Sequence, residues 1–357
     1  MTSGSSPQPP WNAPPAGPVL AICGWSGSGK TTLLEATIPR LRRRGLAVAL
    51  VKHDSHKFRV DHPGKDSDRL FRAGADVLLG SPEELFARTH GERRRPLPVL
   101  LADLLLDHDL VLVEGHKSTP LPKVWLEGSG APRPGGLEQV LATLAWDSDR
   151  PAQLIELLDD FLPRAWNRPP LYGGILVGGR SRRMGQDKAG LEYRGERFVD
   201  RVAAALAPHV EQTFLLGAGR SGAGHFPSLP DPPGIEGPLA GLLAAVRWAP
   251  GAAWLIAACD LPLVHSEAAG WLLHQRRPGT WGVLPRLDPA VPEKVEPLFA
   301  LYEPQTAGLL AALAATGPLA PRRLATHPKI AAPTPPEPLR DAWRNVNTPG
   351  DLDALPR

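Results

Sequence analysis

Twice along this chain an apolar run of strand length ends in glycines and gives way to a helical repeat. The first instance is "VLAICGWSGSGKTTLLEATIPRLRRRG", residues 19–45, and the second starts at "GGILVGGRSRRMGQDK", residues 173–188. A strand that runs through a glycine turn into a helix needs a crossover to reach its next parallel partner, so each start announces a layered α/β sheet. The two glycine loops differ in spacing, so the halves are not repeats of one another. At 357 residues there is room for two domains with their own cores.

The first half continues in the same alternation. "LAVALVKH" and "DLVLVEG" read as buried strands, "VWLEG" and "VLATLAW" as shorter ones, and "PAQLIELLDDFL" as a helix. "PRAWNRPPLYG" is rich in proline and lacks periodicity, which places a boundary there. The pattern then restarts with "GGILVGG", the amphipathic "RFVDRVAAALAPHV", the strand "QTFLLGAG", the helix "GPLAGLLAAVRWA" and the strand "AAWLIAACD". "PLFALY" and "TAGLLAALAAT" follow as a strand and a helix. The domains expected are a tail at 1–17, a first domain at 18–165, a linker at 166–171 and a second domain at 172–357.

Gly24, four intervening residues, then Gly29, Lys30 and Thr31 form a Walker loop, placed after a strand and before a helix as that motif requires. Its glycines let successive backbone N–H groups, here those of Gly27, Ser28, Gly29, Lys30, Thr31 and Thr32, turn toward phosphate oxygens. Lys30 reaches the β- and γ-phosphates in such a loop, and the Thr31 hydroxyl joins a magnesium ion. Glu114, at the end of "LVLVEG", is the candidate carboxylate for that metal. The histidines of "KHDSHKFRVDHPGKDSDR", His53, His56 and His62, fit no zinc spacing. That stretch reads as a switch-like loop over the phosphates, with Asp61, Lys65 and Asp66 as polar contacts.

The second loop is neither a Walker loop nor the G-x-G-x-x-G of dinucleotide binding. Gly178 and Gly179 let the chain pass under a base and ribose, and Arg183 with Lys188 supplies charge for a triphosphate. Displacement at an α-phosphate needs two anions brought together and the developing charge compensated. A phosphate nucleophile is already ionised at neutral pH, so the lack of an acid–base dyad in this half is expected. Asp260, ending "LIAACD", stands where a parallel sheet delivers a magnesium ligand, and one carboxylate suffices for that ion.

Composition narrows the setting. Net charge is only +3, and the arginine clusters lack the aromatic interleaving of a nucleic-acid surface. Two cysteines, Cys23 and Cys259, sit in apolar runs, which fits a reducing compartment better than a disulfide framework. The 42 prolines and 36 glycines read as stiff loops and a disordered tail. That tail has neither the basic nor the apolar region of a signal peptide, and "PLPVLLADLLLDHDLVLVEG" is broken by Asp103, Asp107 and Asp109. The expectation is a soluble cytoplasmic protein without nucleic-acid or membrane partners.

"GWSGSGKTTLL", "LVKHDSH", "VDHPGKDS", "RAGAD" and "LVEGHK", in that order, resemble the GTP-binding adaptor protein of molybdopterin-guanine dinucleotide biosynthesis. The resemblance implies a P-loop NTPase fold, GTP with Mg2+, weak GTPase activity, a helper role and a homodimer formed through this half. "LVGGRSRRMGQDK", "GPLAGLLAA", "AACDLPLV", "EPLFALY" and "NVNTPGDLD" resemble molybdenum cofactor guanylyltransferase, within the nucleotidyltransferases. The fold this implies is a Rossmann-like nucleotidyltransferase domain. It further implies that Leu176, Val177, Gly178, Gly179 and Lys188 hold GTP, that Asp231 contacts the guanine nucleotide and that Asp260 binds magnesium. Asn345 and Asn347 would face the pterin, and Val177 stands where the family usually has Ala.

The expected activity is transfer of GMP from GTP to molybdopterin with release of pyrophosphate, catalysed through Arg183, Lys188 and Asp260 and assisted by the fused adaptor. Expected protein partners are a molybdopterin insertion protein and molybdoenzymes or their chaperones. Two enzyme readings stand beside it: a sugar-1-phosphate nucleotidyltransferase fused to a P-loop kinase, and a cytidylyl-transferring relative. A third is a non-catalytic carrier or scaffold for nucleotide and cofactor.

Overall fold

The computed structural model describes residues 15–52, 60–91, 95–128, 132–177, 191–217, 226–291, 294–317 and 320–356. Elements and counts below refer to these residues. The first half runs β1 (Val19–Gly24), α1 (Lys30–Arg43), β2 (Val48–Lys52), α2 (Asp66–Arg72), β3 (Val77–Gly80), β4 (Leu85–Arg88), α3 (Leu97–Leu104), β5 (Leu110–Glu114), β6 (Lys123–Leu126), β7 (Val140–Leu144) and α4 (Arg150–Trp166). Five strands form a parallel sheet in the order β2-β5-β1-β6-β7.

β5 is buried along its whole length and β1 over all but its last residue, as central strands covered on both faces must be. Alternation sorts their side chains: Leu20, Ile22, Leu110 and Leu112 pack with Leu33, Leu34, Leu158 and Leu162 of α1 and α4. Val19, Ala21, Cys23, Val111 and Val113 face the other way, against Leu101 of α3 and Trp125. α1 carries Arg40, Arg42 and Arg43 in its last turn, where cations oppose the negative end of the helix dipole. α4 starts at an Asp149 cap, whose carboxylate accepts from Ala152 N at 3.1 Å. The antiparallel hairpin β3–β4 stands apart from the sheet.

α4 ends at Trp166 and the next strand opens at Leu171. The second half runs β8 (Leu171–Leu176), β9 (Glu192–Tyr193), β10 (Glu196–Arg197), α5 (Phe198–Leu206), β11 (Thr213–Leu216), β12 (Ser228–Leu229), α6 (Pro238–Trp248), β13 (Ala253–Ala258), α7 (Ser266–His274), β14 (Gly282–Val283), β15 (Phe299–Tyr302), α8 (Thr306–Thr316), β16 (Ile330–Ala331) and α9 (Pro349–Asp353). Its sheet has the order β12-β11-β8-β13-β15-β14-β16.

Strands alternating with helices imply parallel neighbours, and the last third of the chain departs from that pattern. β12, β11, β8 and β13 are parallel, but β15 runs antiparallel to both β13 and β14. The reason is the path into β15: after β14 no helix intervenes before Phe299, so the chain returns without the crossover that a parallel neighbour requires. Sequence reading also passed over α3 and the β3–β4 hairpin, whose strands are only four residues each.

Both sheets reverse direction of growth beside their first strand. In the first, β5 and β6 flank β1 on opposite sides; in the second, β11 and β13 flank β8. Crevices outside the carboxyl ends of such strands are where open α/β sheets hold ligands; the Walker loop follows β1 there, and Leu176 and Val177 stand at that edge of the second sheet.

Candidate functional site

The Walker loop leaves β1 at Gly24 and enters α1 at Lys30. Gly27 and Gly29 adopt φ of 75° and 82°, a left-handed curl that costs a glycine little. Lys30 Nζ lies within the curl, donating to the carbonyls of Gly24 at 3.1 Å and Trp25 at 2.8 Å. Thr31 Oγ1 donates to Glu114 Oε1 at 3.4 Å, and Lys52 Nζ is 3.5 Å from Glu114 Oε2. Residues 83 positions apart thus meet because β1 and β5 are neighbours, with Ile22 opposite Glu114. Gly27, Ser28 and Gly29 lie in the loop between β1 and α1, and Thr32 in the first turn of α1.

A residue that sequence reading missed holds this loop from below. Arg150 is buried, and its Nη1 donates to the Ser28 carbonyl at 2.8 Å. Its Nε donates to Ala145 O at 2.7 Å, and Nη2 to Glu127 O at 2.5 Å and Leu144 O at 3.2 Å. One guanidinium therefore ties the phosphate loop to the carboxyl ends of β6 and β7. No local motif marks an arginine as a brace of this kind. Around the loop, Lys117 Nζ sits 4.2 Å from the Trp25 ring centre, and Trp25 meets Trp125 edge to face.

The expected switch-like contacts fall differently. His53 and His56 lie outside the described residues. Asp61 accepts from Arg88 Nη1 at 2.9 Å and from Ser67 Oγ at 2.9 Å, and Arg88 also reaches Asp68 at 3.1 Å. Asp61 therefore anchors the segment to the hairpin. Backbone donation from Gly64, with Arg88 and Arg72 alongside, holds the Asp68 carboxyl below its ordinary range.

In the second half three strand ends converge. Cys259 N donates to Leu176 O at 3.0 Å, Val177 N to Leu216 O at 3.0 Å, and Gly217 N to Leu229 O at 3.1 Å. This places Leu176 and Val177, Asp260 just past β13, and Asp231 just past β12 along one sheet edge. The C-terminal segment joins them: Val346 N donates to Asp260 O at 2.9 Å. Val346 is fully buried against Tyr193, Phe198 and Leu355, while Asn345 and Asn347 on either side are exposed. An Asp351 carboxylate then accepts from Asn347 N at 2.9 Å and Thr348 N at 2.8 Å, and the Thr348 hydroxyl caps α9 in return at 3.2 Å. These donors, Asn347 N first, hold the Asp351 carboxyl below its ordinary range. "NVNTPGD" is thus a clip that seats two asparagines beside Asp260. Gly178, Gly179, Arg183 and Lys188 lie outside the described residues.

Each edge offers oxygen donors of the kind magnesium takes: Glu114 with the Thr31 hydroxyl in the first, Asp260 and Asp231 in the second. Among the described residues no three His, Cys, Asp or Glu side chains gather as a metal cage. No described helix is long and apolar enough to cross a membrane.

Comparison with known proteins divides the chain in the same place. The family described as molybdopterin guanine dinucleotide synthesis protein B matches residues 19–142, and the MobA-like NTP transferase domain matches residues 173–329. A molybdopterin-guanine dinucleotide biosynthesis adapter protein of Escherichia coli is 40% identical over 148 residues, 40% of this chain and 85% of that protein. A molybdenum cofactor guanylyltransferase of Rhodobacter capsulatus is 33% identical over 202 residues, 51% of this chain and 93% of that protein. A molybdenum cofactor biosynthesis bifunctional protein of Synechocystis is 39% identical over 115 residues, 31% of this chain and 33% of that protein.

Proposed function

Since this chain belongs both to the molybdopterin-guanine dinucleotide biosynthesis adapter proteins and to the molybdenum cofactor guanylyltransferases, we propose that it transfers GMP from GTP to molybdopterin. The observation that carries this reading is the Val346–Asp260 contact, which brings the exposed Asn345 and Asn347 to the strand end bearing the carboxylate. A nucleotide on the Leu176–Val177 side and a pterin on the asparagine side would then meet at Asp260.

In the step itself, an oxygen of the pterin's terminal phosphate forms a bond to the α-phosphorus of GTP, and the bond to the β-phosphate oxygen breaks. Pyrophosphate leaves with the electron pair. The nucleophile is an anion before it arrives, so the protein removes no proton; it aligns two anions and offsets their repulsion. We assign that offset to Arg183 and Lys188, base and ribose contact to Leu176, Val177, Gly178 and Gly179, and guanine nucleotide contact to Asp231. Asp260 is the carboxylate for Mg2+, which would supply charge neutralisation at the phosphates.

For the first half we infer GTP in the Walker loop, with Lys30 on the phosphates, Thr31 and Glu114 as metal donors, and slow hydrolysis. The 3.4 Å approach of Thr31 to Glu114 supports that donor pair. A homodimer through this half is supported by the β3–β4 hairpin, whose Leu78 and Leu85 are 68% and 73% exposed. Delivery to a molybdopterin insertion protein, molybdoenzymes or their chaperones is supported by the adapter membership, and cytoplasmic residence by two buried cysteines that form no disulfide. The domain bounds proposed are 18–165 and 172–357 with a linker at 166–171.

The test is mass spectrometry of the full chain incubated with molybdopterin and GTP, expecting a guanylated pterin and pyrophosphate. CTP in place of GTP, or a sugar 1-phosphate in place of the pterin, should yield no product. Product from either substitute, or unimpaired product from Asp260→Ala, would overturn the reading.

A further inference from the structure

We propose that the two halves are locked back to back through Asp109, which holds the two nucleotide edges at opposite ends of one body. The inference rests on the edges assigned above, and its test reads distance, not turnover.

Asp109 directly precedes β5 and is fully buried. Its Oδ2 accepts from Ala47 N at 2.6 Å, which ties together the starts of β2 and β5. The remaining capacity is taken by the other half: Trp281 Nε1 donates to Oδ1 at 2.6 Å, and Lys329 Nζ pairs with Oδ2. Lys329 Nζ also donates to Gly45 O at 2.5 Å. Nearby, Gln305 Nε2 donates to Leu105 O at 3.0 Å, in a buried contact. A carboxylate with no solvent exposure is retained only when paired, and here the partners span the two halves.

Strand direction fixes what this means. Gly45, Ala47, Leu105 and Asp109 all lie ahead of strand starts in the first sheet, opposite the Walker loop. In the second sheet Trp281 precedes β14 and Lys329 precedes β16, both parallel to β13. Gln305 follows β15, whose antiparallel end Tyr302 pairs with Trp254 at the start of β13. Every clasp residue is therefore on the starting edge of its sheet, and Glu114, Leu176 and Asp260 are on the finishing edges. β1 and β13 are six residues each, so each sheet is about 20 Å deep and the finishing edges stand roughly 40 Å apart. A ligand bound in one loop cannot pass to the other inside one chain, and the nucleotide face of the adapter half is left open to a separate protein.

Cys23 and Cys259 are buried, so spin labels can be directed to new cysteines. Ser118→Cys, in the exposed loop after β5, and Glu236→Cys, exposed ahead of α6, mark the two finishing edges. Pulsed dipolar spectroscopy of the doubly labelled full chain should give one narrow distance of about 40 Å or more. A separation under about 25 Å, or a distribution as broad as that of two tethered bodies, overturns the proposal. Lys329→Met, which leaves Asp109 its Trp281 and Ala47 partners, should broaden the distribution, and Asp109→Asn should broaden it further. An unchanged distribution in Lys329→Met, with the chain folded by circular dichroism, overturns the clasp as what locks the halves.

Discussion

Arg150 Nη1 donates to the carbonyl of Ser28 across 122 positions of sequence, at 2.8 Å, inside the protein. The phosphate loop is thereby fixed from its inner side, and its outer N–H groups are left for an anion. Replacing Arg150 by Met should strip hydrogen bonds from four carbonyls. At about 1–3 kcal/mol for each buried group left unpaired, and with partial relaxation, the first half should lose about 2–4 kcal/mol. GTP affinity at the Walker loop should fall about tenfold, measured by equilibrium titration, while the KM for GTP of the transferase reaction stays unchanged. Equal loss at both sites would show that the brace is not local.

Thr31 and Glu114 meet with no metal-binding cluster of three acidic, His or Cys side chains around them among the described residues, so the metal site proposed there takes its negative charge from Glu114. Glu114→Gln keeps the shape and removes the charge, which also leaves Lys52 unpaired at that end. GTP should still bind, but the gain in affinity on adding Mg2+ should shrink at least tenfold. Titrations with and without the metal compare the two directly, and a full gain in the variant excludes Glu114 as the donor.

The legible part of this molecule was the part carried by local repetition. Strand runs, glycine loops and helix periodicity located both sheets, and a strand-end carboxylate could be named in each half, Glu114 and Asp260, because parallel sheets expose ligands at one edge. What stayed hidden depends on long-range pairing. Nothing near Arg150 tells of Ser28, and nothing near Asp109 tells of Lys329, 220 positions away. Asp61 is instructive in the opposite sense: its neighbours in sequence pointed to phosphate, and the fold gave it to Arg88 on the hairpin.

The clip around Asp351 predicts a separation of substrate effects. Asp351→Ala removes the acceptor of Asn347 N and Thr348 N, freeing the segment that seats the two asparagines. The KM for the pterin should rise about tenfold and the KM for GTP less than twofold, since Leu176 and Val177 keep their own strand contacts. Because the folded carboxyl is held below its ordinary value of 3.8, its contribution is complete above that value and fades only as pH drops through the lowered one. The pterin KM of the parent should therefore be insensitive to this group between pH 5 and 8.

Cys23 shows the reverse sign. Burial lifts its thiol from 9.0 to about 11, against the pull of Lys123 and Lys30, and its Sγ donates to Gly115 O at 3.1 Å. The native thiol stays neutral where an unfolded one ionises, so stability should decline as pH rises from 9 toward 11. At pH 8, a thiol reagent should titrate neither cysteine in the native chain and both after denaturation; rapid native labelling of Cys23 would contradict its burial.

Gly241 offers a test of how tightly the second site is built. It lies on the buried face of α6, and a Cβ there would come within 2.5 Å of Leu176 Cδ2 and 3.2 Å of Leu216 Cβ. Real Cβ atoms do not approach so closely, so α6 must move away from β8 and β11 or Leu176 must leave its rotamer. Overpacking of this kind costs about 1–3 kcal/mol. Gly241→Ala should lower the thermal midpoint by several degrees. Since Leu176 is the last residue of β8 before the glycine loop, the variant should also raise the KM for GTP. Gly251→Ala, where a Cβ meets nothing within 4 Å, is the matched control and should change neither. If Gly241→Ala lost stability but kept its KM for GTP, Leu176 would be a packing residue only, and its place in the nucleotide site would have to be given up.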